Sequence, residues 1–538
     1  MAGELTVLKT GTTVLIRSAF SPGQDLVLGV KRGANGQVEF TNTCLVAAAA
    51  ELSPAAVARG VVIHRTGDDT IPWFMYPRSR RRIFLLGGNH GCEALRAVTS
   101  PNHGLTTADT GSAWRDEAGE RFYLMRVVDA DHLRFLAENK AGQDPDAPWD
   151  FAETMAGSVL TNTEKGTTLA FTGYASAPLV PCCRIIGQEY LADGKAPLRD
   201  GQITQCGTLE VVDDHDVIDP ASVLEDVIAH PGVEPDFTSA RLAGLVRHHI
   251  VYRFYPGGAV VIDFDALALR DFNLHLMGFF QTYMLSQGAY DTHEYYIPKT
   301  RAFDQAGRRY DFRALQDFRA PPMPGDPPQP ILFRAANRNL ESPSDLPDRL
   351  IQFLGRTVQG RASREVGYVM GYSLIQGITR PSERIRHTDL AALINAGGKA
   401  ALVAVNGGMR PRIPAGTTMR CVVYRQYFRP GGAEAPTCVY WHPEGDVQVV
   451  YADYHRSVER DVIRLPAAWA GRLVTVIEKT PSLTLHTDKV GPQGGATVSV
   501  ANGYGYVVMQ VPAAGGAPAF TRPPVGSSPG GAPRCATR

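Results

Sequence analysis

The stretch Ile250-Val251-Tyr252-Arg253-Phe254-Tyr255-Pro256-Gly257-Gly258-Ala259-Val260-Val261-Ile262 decides the fold class. Two arms rich in β-branched and aromatic residues flank Tyr-Pro-Gly-Gly. Such arms fit a pleated surface, and the Pro-Gly-Gly turn returns the chain on itself, so the stretch reads as a β-hairpin. Just before it stand Arg247-His248-His249. Strand alternation puts His249 and Arg253 on one face, with Val251 between them, and His248 and Tyr252 on the other. Only one of the two adjacent histidines can then face a given cleft. His275, in Asn273-Leu274-His275-Leu276-Met277, sits in an apolar run and reads as a core histidine.

The same grammar extends in both directions. Short apolar runs separated by Gly, Asn and Pro occur at 12–17, 25–30, 121–128 and 168–171, and again at 437–442, 446–451, 473–478, 496–500 and 506–511. Helices are expected at 220–228, with Pro220 at the start, and at 345–354 (Asp-Leu-Pro-Asp-Arg-Leu-Ile-Gln-Phe-Leu). The fold class is therefore mainly β: a multi-domain β-sandwich architecture with few short helices. At 538 residues the chain exceeds one core. The expected units are an N-terminal β-rich domain at 1–150, a central β-sandwich domain at 151–415 and a small C-terminal β-sandwich at 416–512. A proline-rich crossing at 319–330 lies inside the central unit, and 513–538, rich in Gly, Pro and Ser, reads as a disordered tail.

Composition narrows the partners. There are 54 basic and 54 acidic residues, so the total charge gives no attraction to nucleic acid or to an anionic membrane. No apolar run approaches the roughly 18 residues needed to span a bilayer as a helix. The start, Met1-Ala2-Gly3-Glu4-Leu5-Thr6-Val7, lacks the basic and apolar regions of a secretory signal, which predicts a cytoplasmic or virion-associated protein unless a leader is missing from the sequence. The eight cysteines (44, 92, 182, 183, 206, 421, 438, 535) form no CxxC pair, so no thiolate zinc cluster and no cofactor is expected.

Two polar clusters stand out. Ile83-Phe84-Leu85-Leu86 runs into Gly87-Gly88-Asn89-His90-Gly91-Cys92-Glu93, where three glycines surround an Asn-His pair. Glycine permits close backbone approach, so the turn holds two polar side chains on a rigid element. The second cluster spans 281–299. It carries Tyr283, Tyr290, His293, Tyr295, Tyr296 and Lys299. Tyrosine offers a sugar both an apolar face and a hydroxyl, and it transfers protons when its phenol is acidified. A nucleophile elbow, the P-loop, HExxH and the dinucleotide glycine motif followed by a helix are not evident in the sequence. The acid pairs Asp68-Asp69 and Glu444/Asp446 sit in turns, where solvated carboxylates are the commoner case.

His90-Gly91-Cys92-Glu93 forms HxxE, which resembles the first two zinc ligands of carboxypeptidase-like proteins and leaves a divalent cation as the alternative to no cofactor. The segments 67–72, 88–91 and 103–114 (His-Gly-Leu-Thr-Thr-Ala-Asp-Thr-Gly-Ser-Ala-Trp), continued at 122–124 and 129–136, resemble phage tail-associated and bacterial carbohydrate-active proteins over roughly the first quarter of the chain. The strands ending Gly503-Tyr504-Gly505-Tyr506-Val507-Val508 are similar to the small β-sandwich that often closes carbohydrate-active enzymes. The resemblance implies binding or cleavage of a surface polysaccharide, and it carries over only Asn89 and His90.

The expected activity is that of a polysaccharide lyase acting on a uronate-containing glycan. Elimination needs the uronate carboxylate neutralised, a base for the adjacent proton and an acid for the departing oxygen. Asn89 and Arg253 take the first role. His90 or His293, with Tyr290, Tyr295 or Tyr296, move protons. His249, Tyr252, Tyr283 and Lys299 bind substrate. A glycoside hydrolase using Asp68 or Asp69, a non-catalytic glycan-binding virion protein (a trimer or other homo-oligomer), and a zinc hydrolase are the alternatives.

Overall fold

The computed structural model describes residues 4–33, 36–64, 73–75, 84–87, 90–92, 95–138, 155–176, 183–233, 236, 239–273 and 276–279. Beyond these it describes 291–296, 302–303, 309–310, 331–334, 349–358, 361–362, 365–376, 388–394, 400–406, 412–429, 437–444, 447–454, 458–464, 471, 473–478, 484–489, 495–500 and 506–511. Among them the chain is mainly β, with two short α-helices at Pro54–Ala58 and Pro220–Ala229. Every strand pairing is antiparallel, apart from an isolated parallel bridge between Lys9 and Asp200.

The hairpin at the centre forms as its sequence dictates. Gly244–Tyr255 pairs with Ala259–Ala268, with Phe254 opposite Val260 and Tyr252 opposite Ile262. The turn needs Gly258: its φ is +76°, and a Cβ there would lie 2.5 Å from Leu26 Cδ2. These two strands are the middle of a nine-stranded sheet. Its order is Ala196–Pro197, Cys183–Ala192, Leu209–Ile218, Gly244–Tyr255, Ala259–Ala268, Thr418–Phe428, Val366–Gln376, Arg349–Gly355 and Asp291–Tyr296.

The inward positions of this sheet, including Val211, Ile250, Phe254, Val260, Ile262, Met419 and Val423, are buried. They belong to one continuous core that also contains Val7, Val14, Ile16 and Leu28 of an N-terminal seven-stranded sheet, and Phe122, Leu124, Leu133 and Phe135 of a second one. Packed antiparallel sheets sharing a core are a β-sandwich architecture. The helix Pro220–Ala229, at the expected place, turns Val223 and Val227 inward, one turn apart. Gly111 lets it dock: at φ +90° a Cβ would meet the Val227 carbonyl oxygen at 2.6 Å. The helix Pro54–Ala58 is capped by Ser53, whose hydroxyl accepts the Ala56 N–H at 3.2 Å.

Two expectations change. The segment expected to be helical at 345–354 contributes Arg349–Gly355, a strand hydrogen-bonded on both sides. Its run Leu350-Ile351-Gln352-Phe353-Leu354 is apolar at nearly every position, which suits a strand covered on both faces as well as a helix, and tertiary pairing decides. The strands also cross the expected domain boundaries. Leu95–Thr99 pairs with Gly173–Ser176, Leu5–Thr10 with Ile203–Cys206, and Thr418–Phe428 with Ala259–Ala268. Distant pairing of this kind leaves no trace in local composition. The C-terminal strands fall where expected, at Thr437–Glu444, Val447–Tyr454, Leu473–Glu478, Gly495–Val500 and Tyr506–Val511. The proline-rich 319–330 and the tail 513–538 lie outside the described residues.

Candidate functional site

The outer face of the nine-stranded sheet carries the candidates His249 and Arg253, on one face as alternation requires. Asp214, His249, Asp265 and Arg420 stand directly across from one another on successive strands. The half-exposed His249 donates from Nδ1 to Asp214 Oδ1 at 2.6 Å. Arg253 donates from Nε to Glu210 Oε1 at 3.0 Å, and its Nη1 lies 3.7 Å from Asp263 Oδ2. Arg420 closes on the same Asp263 at 3.1 Å and faces Asp265 at 3.7 Å. Opposite charges on neighbouring strands thus neutralise one another across the face. Arg253 already holds two carboxylates, which leaves it poorly placed to take a third from a substrate. Such solvated pairs contribute little, so Arg253→Ala is expected to change stability by less than about 1 kcal/mol, read from urea unfolding curves.

Tyr252 points the other way. It is fully buried, its ring meets Phe40 edge-on at 5.7 Å, and burial raises its phenol well above the usual range. It has no surface to offer a glycan, so the substrate-binding expectation for Tyr252 is replaced by a core role.

The remaining candidates lie elsewhere. Phe84–Gly87 and His90–Cys92 form a small hairpin in which Gly87 pairs with His90. Phe84–Gly87 lies beside Trp73–Met75, which pairs with Leu276–Phe279 (Met75 opposite Leu276, Trp73 opposite Gly278). That strand leads directly into 281–299. Within it Asp291–Tyr296 forms the edge of the nine-stranded sheet. His293 falls at a register shift: Thr292 pairs with Leu354 and Glu294 with Phe353. Bulges of this kind are over-represented at sheet edges and next to active sites. Tyr295 and Tyr296, at successive strand positions, belong to opposite faces. Asn89, Tyr283, Tyr290 and Lys299 lie outside the described residues, as do Asp68, Asp69 and Glu93.

The sheet order separates Arg253 from this group. Four strands stand between Gly244–Tyr255 and Asp291–Tyr296. Five strand spacings amount to roughly 24 Å measured along the sheet. Arg253 and His249 are therefore not brought beside His293. Among the described residues no group of three or more His, Cys, Asp or Glu is arranged to hold a metal ion.

A polar cluster that strand patterning alone did not single out lies inside the sandwich. His215 and His248, both fully buried, meet with His248 Nδ1 and His215 Nε2 3.0 Å apart. Gln37 Nε2 reaches the same His215 nitrogen at 2.8 Å. Asp213 receives the Val38 N–H at 3.0 Å and the Gln188 amide at 2.8 Å. Burial alone would raise its carboxyl, but His215 and these donors hold it below the usual range. On the other side, His64 and Thr43 both bond the Tyr427 hydroxyl, Thr43 at 3.1 Å. Arg425 lies over the Phe40 ring, 4.5 Å from its centroid. The signal was available in Met419, Cys421 and Val423, whose alternation carries Arg425 and Tyr427 onto the same inward face.

No family model matches the chain, and no curated protein matches it. Among solved structures it is similar to the Slr1438 protein of Synechocystis (11% identity over 77% of this chain and 96% of that one, TM-score 0.28) and to galactose 1-epimerase of Lactobacillus acidophilus (11%, 80% and 100%, 0.27). It is also similar to a copper-containing benzylamine oxidase of Hansenula polymorpha (9%, 78% and 77%, 0.19). None of these comparisons shows a phage tail-associated or polysaccharide lyase family.

Proposed function

We propose that the protein acts on a carbohydrate, and that the reaction is β-elimination in a uronate-containing polysaccharide. Asn89 neutralises the uronate carboxylate. His90 or His293 takes the proton beside it. The electron pair of that C–H bond becomes the new double bond as the bond to the 4-linked oxygen breaks. Tyr290, Tyr295 or Tyr296 protonates the departing oxygen. Arg253, bound to Glu210 and Asp263 on a distant strand, leaves this set.

One observation supports the reading above the others. The strand beside the Gly-Gly-Asn-His hairpin, Trp73–Met75, is hydrogen-bonded to Leu276–Phe279, the strand that leads into the tyrosine-rich 281–299. Trp73–Met75 and Leu276–Phe279, about two hundred residues apart in the chain, share a five-stranded sheet, while the hairpin is a separate two-stranded sheet and Asp291–Tyr296 edges the nine-stranded one. The bulge at His293 adds an interruption of the ladder at a sheet edge, where functional side chains are often displayed.

The test is a panel of anionic polysaccharides, followed by the ultraviolet absorbance of a conjugated unsaturated uronate. Turnover with that chromophore is expected. His90→Ala should lower the rate by about 10²–10⁴-fold, with the melting temperature nearly unchanged. Reducing ends without the chromophore would move the assignment to a hydrolase, and binding without any product would remove the enzyme altogether.

A further inference from the structure

We propose that Arg126 and Arg134 form a solvent-open binding site for a tetrahedral oxyanion, a phosphate or sulfate group, on the outer face of the seven-stranded sheet that holds Phe122 and Phe135. The proposal does not rest on the glycan reading and uses none of its residues.

Arg121–Val127 and His132–Ala137 are antiparallel neighbours in that sheet, and Arg126 stands directly opposite Arg134. Side chains paired in this way share a face, with Cβ atoms roughly 5 Å apart, and like charges so placed repel. A slip in the ladder puts them there. Between Leu124 and Arg126 the register shifts by one residue. Leu124 and Met125, consecutive in the chain, are both buried, at 0% and 2% exposure. Strict alternation after the inward Leu124 would turn Arg126 inward as well. The extra residue turns it out to solvent instead. Arg134 reaches the same face by plain alternation, between the fully buried Leu133 and Phe135.

The surface around the pair is open and low. Ala97 and then Ala175 continue the row of Arg126 and Arg134 across the sheet. The next row on that face runs His132, Thr99 and Gly173. Alanine and glycine raise no wall on that side, and Arg126, His132, Gly173 and Ala175 are exposed. The carboxylates at the ends of the two strands are engaged. Asp129 is bonded to His132 at 2.8 Å, Asp131 accepts the Asn102 N–H at 2.9 Å, and Glu138 is held by Arg121 and Tyr123, each at 3.2 Å. Among the described residues Arg134 has no acceptor for its guanidinium. Desolvation and then the Arg126 charge lower its basicity, yet a guanidinium stays protonated in proteins. An anion seated between the two arginines offsets both effects. A carboxylate presents one edge and fills one N–H fork. A tetrahedral dianion offers oxygens on several sides and can take a fork from each arginine.

The experiment is equilibrium dialysis of the full chain against labelled inorganic phosphate, in mildly alkaline buffer of low ionic strength, where phosphate is doubly charged. Saturable binding of one phosphate per chain is expected. Arg126→Gln and Arg134→Gln should each weaken it by roughly tenfold or more, because each removes a charged hydrogen-bonding partner. In phosphate-free buffer the urea midpoint of Arg134→Gln should match or exceed that of the unaltered chain, since the repulsion is gone. A loss of binding then cannot be a loss of folding. If Arg134→Gln does not fold, Arg126→Gln, at the exposed position, carries the test. Absence of saturable binding, or equal binding by the unaltered chain and the variants, would overturn the site. Phenyl phosphate as competitor names the source: displacement assigns the site to an ester group on a larger ligand, and displacement by free sulfate alone assigns it to the free ion, the site standing in both cases.

Discussion

Phe254→Ala is expected to lower stability by about 3–5 kcal/mol, because a whole aromatic ring is lost from a sealed core. Phe254 is fully buried on the inward face of Gly244–Tyr255. Its ring lies 5.7 Å from that of Phe40, on the strand Val38–Phe40 of the N-terminal sheet. Phe40 in turn touches Tyr252 and supports Arg425. Removing the Phe254 ring therefore strips apolar surface from the joint between two sheets and leaves a cavity whose walls are backbone-anchored on both sides. Such walls collapse poorly, which places the cost at the upper end of the range. Chemical denaturation should show a lower midpoint with an unchanged slope. Phe254→Leu, which keeps more of the volume, should lose less than half as much. A loss below about 1 kcal/mol for the alanine variant would mean that the two sheets do not share a core at this point.

The part of the fold written in local sequence was readable. The Pro-Gly-Gly hairpin, the short strands, the helix over Pro220–Ala229 and the alternation of His248 and Tyr252 against His249 and Arg253 all follow from periodicity and turn chemistry. What periodicity leaves out is which strand lies beside which. Pairing of residues 5–10 with 203–206, or of 259–268 with 418–428, is settled by complementary buried faces over long loops, so boundaries at 150 and 415 had no physical basis in composition. The helix expected at 345–354 failed for a related reason: an apolar run of that length is the same string in a covered strand as in a short helix. For the site, residue type suggested Arg253, but type does not reveal that Glu210 and Asp263 already hold it. His64, His215 and Arg425 are buried, although residue type alone assigns them to the surface. Their positions in the alternation said otherwise.

Those interior histidines set the response to acid. His64 and His248 are both buried, and burial disfavours the imidazolium. His64 is pushed down to about 3, and His248, with His215 beside it, falls well below its ordinary value of 6.5. In the unfolded chain each takes its proton near pH 6.5. Below that point the unfolded state binds more protons than the folded one, so folding stability falls with pH. It is complete above about pH 6.5 and drains away as pH drops toward the folded-state values, by up to about 1.4 kcal/mol per pH unit for each histidine. The groups facing the pair do not reverse the sign. Asp213, beside His215, is held below the carboxylate range, so its loss begins only in stronger acid. Arg425 beside His64 stays charged throughout and opposes a second positive charge. Stability measured by urea unfolding should therefore decline steeply from about pH 6.5 to about 4.5, ahead of ordinary carboxylate titration. His248→Phe, against Phe264 at a ring distance of 5.1 Å for the native histidine, should flatten that slope by about half, whatever it does to the absolute value. A stability curve level across that window would mean that neither ring is sealed from water, and the interior would then have to be open to solvent at the very joint where the two sheets meet.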